Sequence, residues 1–190
     1  MEYWHARLSR KTRELNLPFL KPEYLSLLKP HPIWTSLESG SNQYQVRAAI
    51  IQASFLSGRY RTERLRRHWS SNYEGICLMD SCKNLKLLDD VEHILLHCDG
   101  LSAERRRLWQ FILTYTVKLP HIREIALHYL SSSITEECCQ FIVDCSVLPM
   151  VIQAVQIYGD EVHTHCFRVT RTWCRLIHDT RLRKLGRYPS

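Results

Sequence analysis

No apolar run in this sequence reaches the roughly 18 residues that a helix needs to span a bilayer. The longest apolar stretch, Ser146 to Tyr158, is broken by Pro149, Gln153 and Gln156. The first residues, MEYWHARLSRKTREL, carry charges where a secretory signal requires an apolar segment. Both absences point away from a membrane-spanning or secreted protein and toward an intracellular one, in cytoplasm or nucleus. No internal repeat, low-complexity tract or flexible Gly/Ser linker occurs, and strand-like alternation is nearly missing. P-loop, nucleophile-elbow and HExxH patterns are also lacking, so no motif nominates a catalytic residue.

What is present is helical in pattern. At 190 residues and 45% apolar, the chain can bury one good core, or one core plus a satellite held by something besides packing. A first helix is expected over Tyr3 to Asn16. A connector with Pro18, Pro22, Pro30 and Pro32 follows, leaving room for one short helix near Glu23 to Leu28. Asn42 is placed to cap a helix from Gln43 to Ser57, with Val46, Ala49, Ile50, Ala53, Phe55 and Leu56 as its apolar stripe. Gly58 ends it. Thr62 caps a short basic helix through Trp69.

Further helices are expected from Ser102, burying Leu108, Phe111, Ile112 and Tyr115; from Pro120; after Thr135; and from Pro149 to a break at Gly159 and Asp160. A long last helix runs from about Glu161 to Leu185. The expected class is mainly α, a helical domain with a small Cys/Cys/His/Cys metal unit near its middle. The organisation read from the sequence is 1–42 as helix and connector, 43–100 as helix plus metal unit, and 101–190 as a helical region.

Eight cysteines in a secreted scaffold would suggest disulfides, but such scaffolds are short and loop-rich. Cys138, Cys139, Cys145, Cys166 and Cys174 fall in apolar-periodic segments and read as small core residues. The remaining three crowd into ICLMDSCKNLKLLDDVEHILLHC, from Ile76 to Cys98, with two histidines. The order is Cys77-x4-Cys82, ten residues, His93, and then Cys98 or its rival His97.

Structural zinc takes four Cys or His ligands in paired spacings of about two to four residues, with wider gaps between the pairs. Here the first pair forms a loop and the second rides on a helix, with Asp89 as N-cap and Glu92 completing a capping box. Thiolate is the stronger ligand, which favours Cys98, whereas His97 shares a helical face with His93. Met79, Leu85, Leu87 and Leu88 alone make too thin a core for this irregular segment, so a metal staple is expected. DEVHTHC, Asp160 to Cys166, is the only other metal-like cluster. Its His163 and His165 point different ways on a helix, and no second site is expected.

Lys and Arg total 26 against 19 Asp and Glu, a net charge of +7 that favours a polyanionic partner. Arg59, Arg61, Arg64, Arg66 and Arg67 form one cluster, Arg105 to Arg107 a second, and Arg168 to Arg187 a third. The planar fork of arginine suits phosphate. In the last helix, Arg168, Arg171 and Arg175 would form a basic outer face opposite Val169, Trp173, Leu176 and Ile177.

QASFLSGRYRTERLRRHWSSNYEGICLMDSC followed by DDVEHILLHC resembles the zinc-binding region beyond the polymerase domain of non-LTR (LINE-type) retrotransposon reverse transcriptases. The likeness extends upstream to HPIW at His31–Trp34 and downstream to CFRVTRTWCRLIHDTRLRKLGRY. The four-residue gap in the first Cys pair is longer than the two-residue gap often seen there. The resemblance implies zinc held by Cys77, Cys82, His93 and Cys98, with RNA or DNA as partner and the polymerase region of a longer polyprotein as a neighbour. A palm needs metal-holding carboxylates. The only comparable acidic pair, Asp89 and Asp90, opens the expected metal helix instead and reads as a cap.

The expected function is therefore a non-catalytic, nucleic-acid-binding zinc module without polymerase, RNase H or nuclease motifs. Arg59, Arg61, Arg64, Arg66 and Arg67 would meet phosphates of template RNA or target DNA, and Trp69 and Tyr73 would stack on unpaired bases. Two other readings stand beside it. One is a helical protein-interaction module with a purely structural zinc; the other is an enzyme fragment that completes an active site in trans.

Overall fold

The computed structural model describes residues 30–37 and 41–187, and of His68 and Trp69 only the backbone. The expected helices Tyr3 to Asn16 and Glu23 to Leu28 lie outside the described residues. Among these, nine α-helices are found: α1 (Pro32–Thr35), α2 (Gln43–Leu56), α3 (Glu63–Trp69), α4 (Asp80–Lys83), α5 (Ser102–Tyr115), α6 (Pro120–Leu130), α7 (Thr135–Val143), α8 (Pro149–Tyr158) and α9 (Glu161–Lys184). A π-helical turn, His93–His97, and two short 3-10 turns complete the set. The described residues form no strand, only one antiparallel bridge between Ile76 and Leu88. No described helix is long and apolar enough to cross a membrane.

The helix ends follow local chemistry. Asn42 and Gln45 cap α2 reciprocally, each side chain accepting from the other's backbone N–H at 3.0 and 3.1 Å. Thr62 Oγ1 accepts from Leu65 N at 2.9 Å and opens α3. Proline stands in the first turn of α1, α6 and α8, where its missing N–H costs nothing. Gly159, at φ +87°, ends α8 in a conformation that side chains with a Cβ resist. Thr135 proves to be the first residue of α7 and not its cap; Ile134 precedes it without a side-chain bond.

α9 is the spine, packed against α2, α5, α6, α7 and α8 and touching the segment that carries the Cys/His cluster. Its apolar stripe, Val162, Cys166, Phe167, Val169, Trp173 and Ile177, is buried in one continuous core with Phe55, Ile112, Ile122 and Phe141. Cys138, Cys139, Cys145, Cys166 and Cys174 are buried free thiols within it. Trp173 also donates its indole N–H to Leu95 O at 3.4 Å, and Lys184 reaches Gly100 O at 2.6 Å. α9 thus grips the segment with the Cys/His cluster at two places.

The buried face of α2 differs from the expected stripe. Val46 and Ile50 face outward, whereas Ala48, Ala49, Ile51, Gln52, Phe55 and Leu56 are buried. Gln52 is accommodated because its amide donates to Ile142 O at 2.8 Å and Thr170 Oγ1 at 2.9 Å. A buried amide with partners is tolerated, and those partners come from two distant helices. In α5, Leu108 and Ile112 are buried while Phe111 and Tyr115 are only half-buried.

The expected basic outer face of α9 holds at Arg168, which is exposed, and is corrected at Arg171. Arg171 is buried and donates to Phe167 O at 3.1 Å and Ser36 O at 3.2 Å, tying α9 to the end of α1. Arg181 is buried too, and Arg175 lies 3.8 Å from the centroid of the Tyr44 ring. Arg171 and Arg181 serve as interior struts, since a long guanidinium stem reaches carbonyls that a shorter side chain would leave bare.

Candidate metal centre

The segment from Gly75 to Leu101 has little regular structure and is closed by its own backbone. Cys77 N donates to Leu87 O at 2.8 Å, and Asp89 N to Gly75 O at 3.0 Å, making a two-rung antiparallel clasp. Between the rungs the chain turns through α4, where Cys82 N donates to Met79 O at 2.9 Å and Leu87 N returns to Cys82 O at 3.3 Å. Cys77 and Cys82 are thereby aimed inward from the two ends of one loop.

The second pair depends on a π turn. Cys98 N donates to His93 O at 2.7 Å, an i→i+5 bond. In an α-helix residue i+5 lies about 140° around the axis from residue i. The wider π turn brings Cys98 back over His93, which an ordinary helix would prevent. An α-helix was expected here, and the difference follows from holding residues five apart on one side.

The cap of this turn is Asp90, whose Oδ1 accepts from His93 N at 2.9 Å. Asp89, expected as the cap, is buried and bonded elsewhere. Its Oδ2 accepts from Glu63 N at 2.5 Å and from Arg181 Nη2 at 2.6 Å. Glu92 faces solvent beside His97, at 3.5 Å, and closes no capping box.

One ligand atom from each of Cys77, Cys82, His93 and Cys98 lies within 4.8 Å of the other three, and all four residues are buried. The Sγ atoms of Cys77 and Cys82 are 3.8 and 3.7 Å from that of Cys98, too far for a disulfide. His97 is exposed and stands outside the cluster. Of the two rivals for the fourth place, Cys98 is the one brought in.

No known protein family, characterised protein or solved structure matches the chain.

The chemistry of the cluster is therefore read from its atoms. His93 Nε2 is buried with no hydrogen-bond partner. The neighbouring Cys98 thiol and then burial push the Cys77 thiol well above its ordinary value. The Cys77 thiol beside the imidazole raises the His93 pKa against the opposing effect of burial. Three thiols and an imidazole in a dry space cannot shed their protons without a cation among them. Soft sulfur and imidazole donors, all buried and converging, fit a metal ion.

Around them lies a positive neighbour that no sequence motif marks. Arg105 Nη2 donates to Cys98 O at 2.7 Å, and its Nη1 is buried without a partner. Gly100 fits close against Met79, where an added Cβ would come within 2.9 Å of the Met79 Cβ and Cγ. Neither residue is a ligand, and both sit where they hold Cys98 and the first loop in place.

The arginines named from the sequence take different positions. Arg59, Arg61, Arg64 and Arg67 are exposed. Arg64 pairs with Asp90 at 3.1 Å, and Arg67 donates to Glu74 O at 3.4 Å. Arg66 is half-buried, 3.6 Å from Glu63 and 5.6 Å from the Tyr73 ring centroid. The side chain of Trp69 lies outside the described residues. Tyr60 is a core aromatic, stacked on Phe55 at 3.7 Å between centroids.

Proposed function

We propose that this chain is a non-catalytic nucleic-acid-binding module whose cluster takes up zinc. Tetrahedral zinc–thiolate bonds of about 2.3 Å imply sulfur–sulfur edges of about 3.8 Å. The edges of 3.8 and 3.7 Å at Cys98 accord with that geometry before any ion is added. Zinc is redox-inert and closed by four protein ligands, so its contribution is structural; the residues it joins do the binding.

The carrying observation is how the metal-bearing segment holds the basic helix α3. Asp89 Oδ2 accepts from Glu63 N at 2.5 Å, its carbonyl from Arg64 N at 3.3 Å, and Asp90 pairs with Arg64 at 3.1 Å. Fixing the π turn therefore fixes the helix that presents Arg64 and Arg67, next to exposed Arg59 and Arg61. Such cations meet phosphates and set affinity and register more than sequence choice. The resemblance to the zinc-binding region of LINE-type reverse transcriptases agrees with this reading and adds a polymerase region as neighbour.

The test is binding of fluorescent single-stranded RNA and DNA across a salt series. Each phosphate released from counterions contributes about 0.7 to the logarithmic salt slope. Wild type should bind with a slope of several contacts, and Arg64→Ala/Arg67→Ala should bind more weakly and with a shallower slope. No binding at low salt would end the proposal.

The second reading, a protein-interaction module, is favoured by Val46 and Ile50, which are exposed on one side of α2. An apolar interface there would be insensitive to the same salt series.

A further inference from the structure

Between the end of α3 and the metal-bearing loop lies an open groove of about 700 Å³, within the size range of ligand pockets. Asn72, Tyr73, Leu78, Lys83, Lys86 and Arg187 are among the residues that line it. We infer that this groove receives one nucleotide of a single-stranded nucleic acid, its base against Tyr73 and its phosphates at Lys83 and Lys86. The inference rests on the nucleic-acid reading above and adds the place where a base, not only a backbone, is held.

Three observations converge on it. Tyr73 keeps 39% of its surface exposed although Arg66 stands 5.6 Å from its ring centroid. A ring already backed by a guanidinium is a stacking platform for a second planar group, and every base has such a face. Leu78 leaves an apolar surface beside it, 36% exposed, which suits a base and not a bare phosphate.

The charges favour an anion. Of the two carboxylates that line the groove, Glu63 is buried and held by Arg187 at 2.8 Å and Arg66 at 3.6 Å. That leaves Glu74 against exposed Lys83 and Lys86. The groove is thus positive where it meets solvent.

The backbone adds the third observation. Lys86 has φ +52°, the only positive value outside glycine among the described residues. Glycine or asparagine would adopt this turn with less strain. A lysine there costs stability, and its ammonium is carried to the groove by a loop whose other end holds Cys82. The turn is the left-handed residue that ends α4, with Leu87 N donating to Cys82 O and Lys86 N to Lys83 O, and it sets Lys86 in the lining of the groove.

The zinc-loaded full chain is titrated with labelled oligo-U and oligo-dT, and with an abasic oligonucleotide of equal length. Wild type should bind the base-bearing strands about tenfold more tightly than the abasic one, the effect of one stacked base. Tyr73→Ala should abolish that difference, and Tyr73→Phe should restore it. Lys86→Gly should weaken binding and lower the salt slope by about 0.7 while its melting temperature stays equal or rises. That combination separates function from misfolding.

If wild type binds strands with and without bases equally, or if Tyr73→Ala and Lys86→Gly bind like wild type, the groove assignment is overturned while the arginine-based reading stands. If wild type binds none of them at low salt, both fall together.

Discussion

Arg181 Nη2 lies 2.6 Å from Asp89 Oδ2, and both side chains are buried. Three parts of the molecule meet at that oxygen: the end of α9, the first N–H of α3, and the residue that enters the π turn. Arg181 also donates to Arg61 O at 3.2 Å, so its fork bridges α9 to the approach of α3. Burial pushes the Asp89 carboxyl up and Arg181 pulls it down, with the Glu63 N–H helping. The pair links the helical core to the segment with the Cys/His cluster.

Removing one partner of a buried ion pair leaves the other charged and alone, at a cost of about 3–5 kcal/mol. Arg181→Met and Asp89→Asn should each destabilise the protein on that scale in urea denaturation. The double variant should lose clearly less than the sum of the two, which a double-mutant cycle measures. Additive losses would mean that the two side chains act independently.

Metal content should follow the cluster and not the wider run of histidines. Purified protein should hold one zinc per chain by elemental analysis, and Cys82→Ser or His93→Ala should lose it. His97→Ala should keep it. Structural zinc contributes on the order of 10 kcal/mol to folding in small zinc units. Chelation should therefore open residues 75–101 to protease while the far-ultraviolet helix signal of the α9 core largely remains.

Gly100→Ala should injure the site without touching a ligand. The new Cβ would lie 2.9 Å from the Met79 Cβ and Cγ, and Met79 is buried beside Cys77. Overpacking of this kind costs about 1–3 kcal/mol. Zinc competition with a chromogenic chelator should report weaker retention, and adding Met79→Ala should recover part of it.

Acid should destabilise the helical core through His163 and His178. Burial lowers the pKa of both from the ordinary 6.5. The unfolded chain then takes up these protons at a higher pH than the folded one. Stability is complete above 6.5 and declines as the pH falls from there through the lower folded values. Protonation of the metal ligands acts in the same direction. The histidine share is isolated by His163→Gln/His178→Gln, which should flatten the fall in melting temperature below neutrality.

Residue pattern alone placed most of the helices. Asn42, Thr62, Pro120, Pro149 and Gly159 each punctuate the backbone by chemistry that acts within a few residues, and the Cys/His spacing named three of the side chains that come together and left the fourth between Cys98 and His97. Those signals are local, so they survive in a linear reading. The π turn did not show itself, because nothing in HILLHC distinguishes it from an α-helix until Cys98 must face the same centre as His93.

Tertiary structure decided which polar residues go inside. Arg171 reads as outward-facing, yet it is buried, as Gln52 and Arg181 are, because distant segments supply acceptors: Ser36, Ile142 and Asp89 respectively. Val46 and Ile50 turn outward for the complementary reason, since no element among the described residues buries that side of α2. Periodicity fixes which residues share a face of one regular α-helix. Only the packing of several helices together determines whether that face meets water, a hydrogen-bond partner or the core.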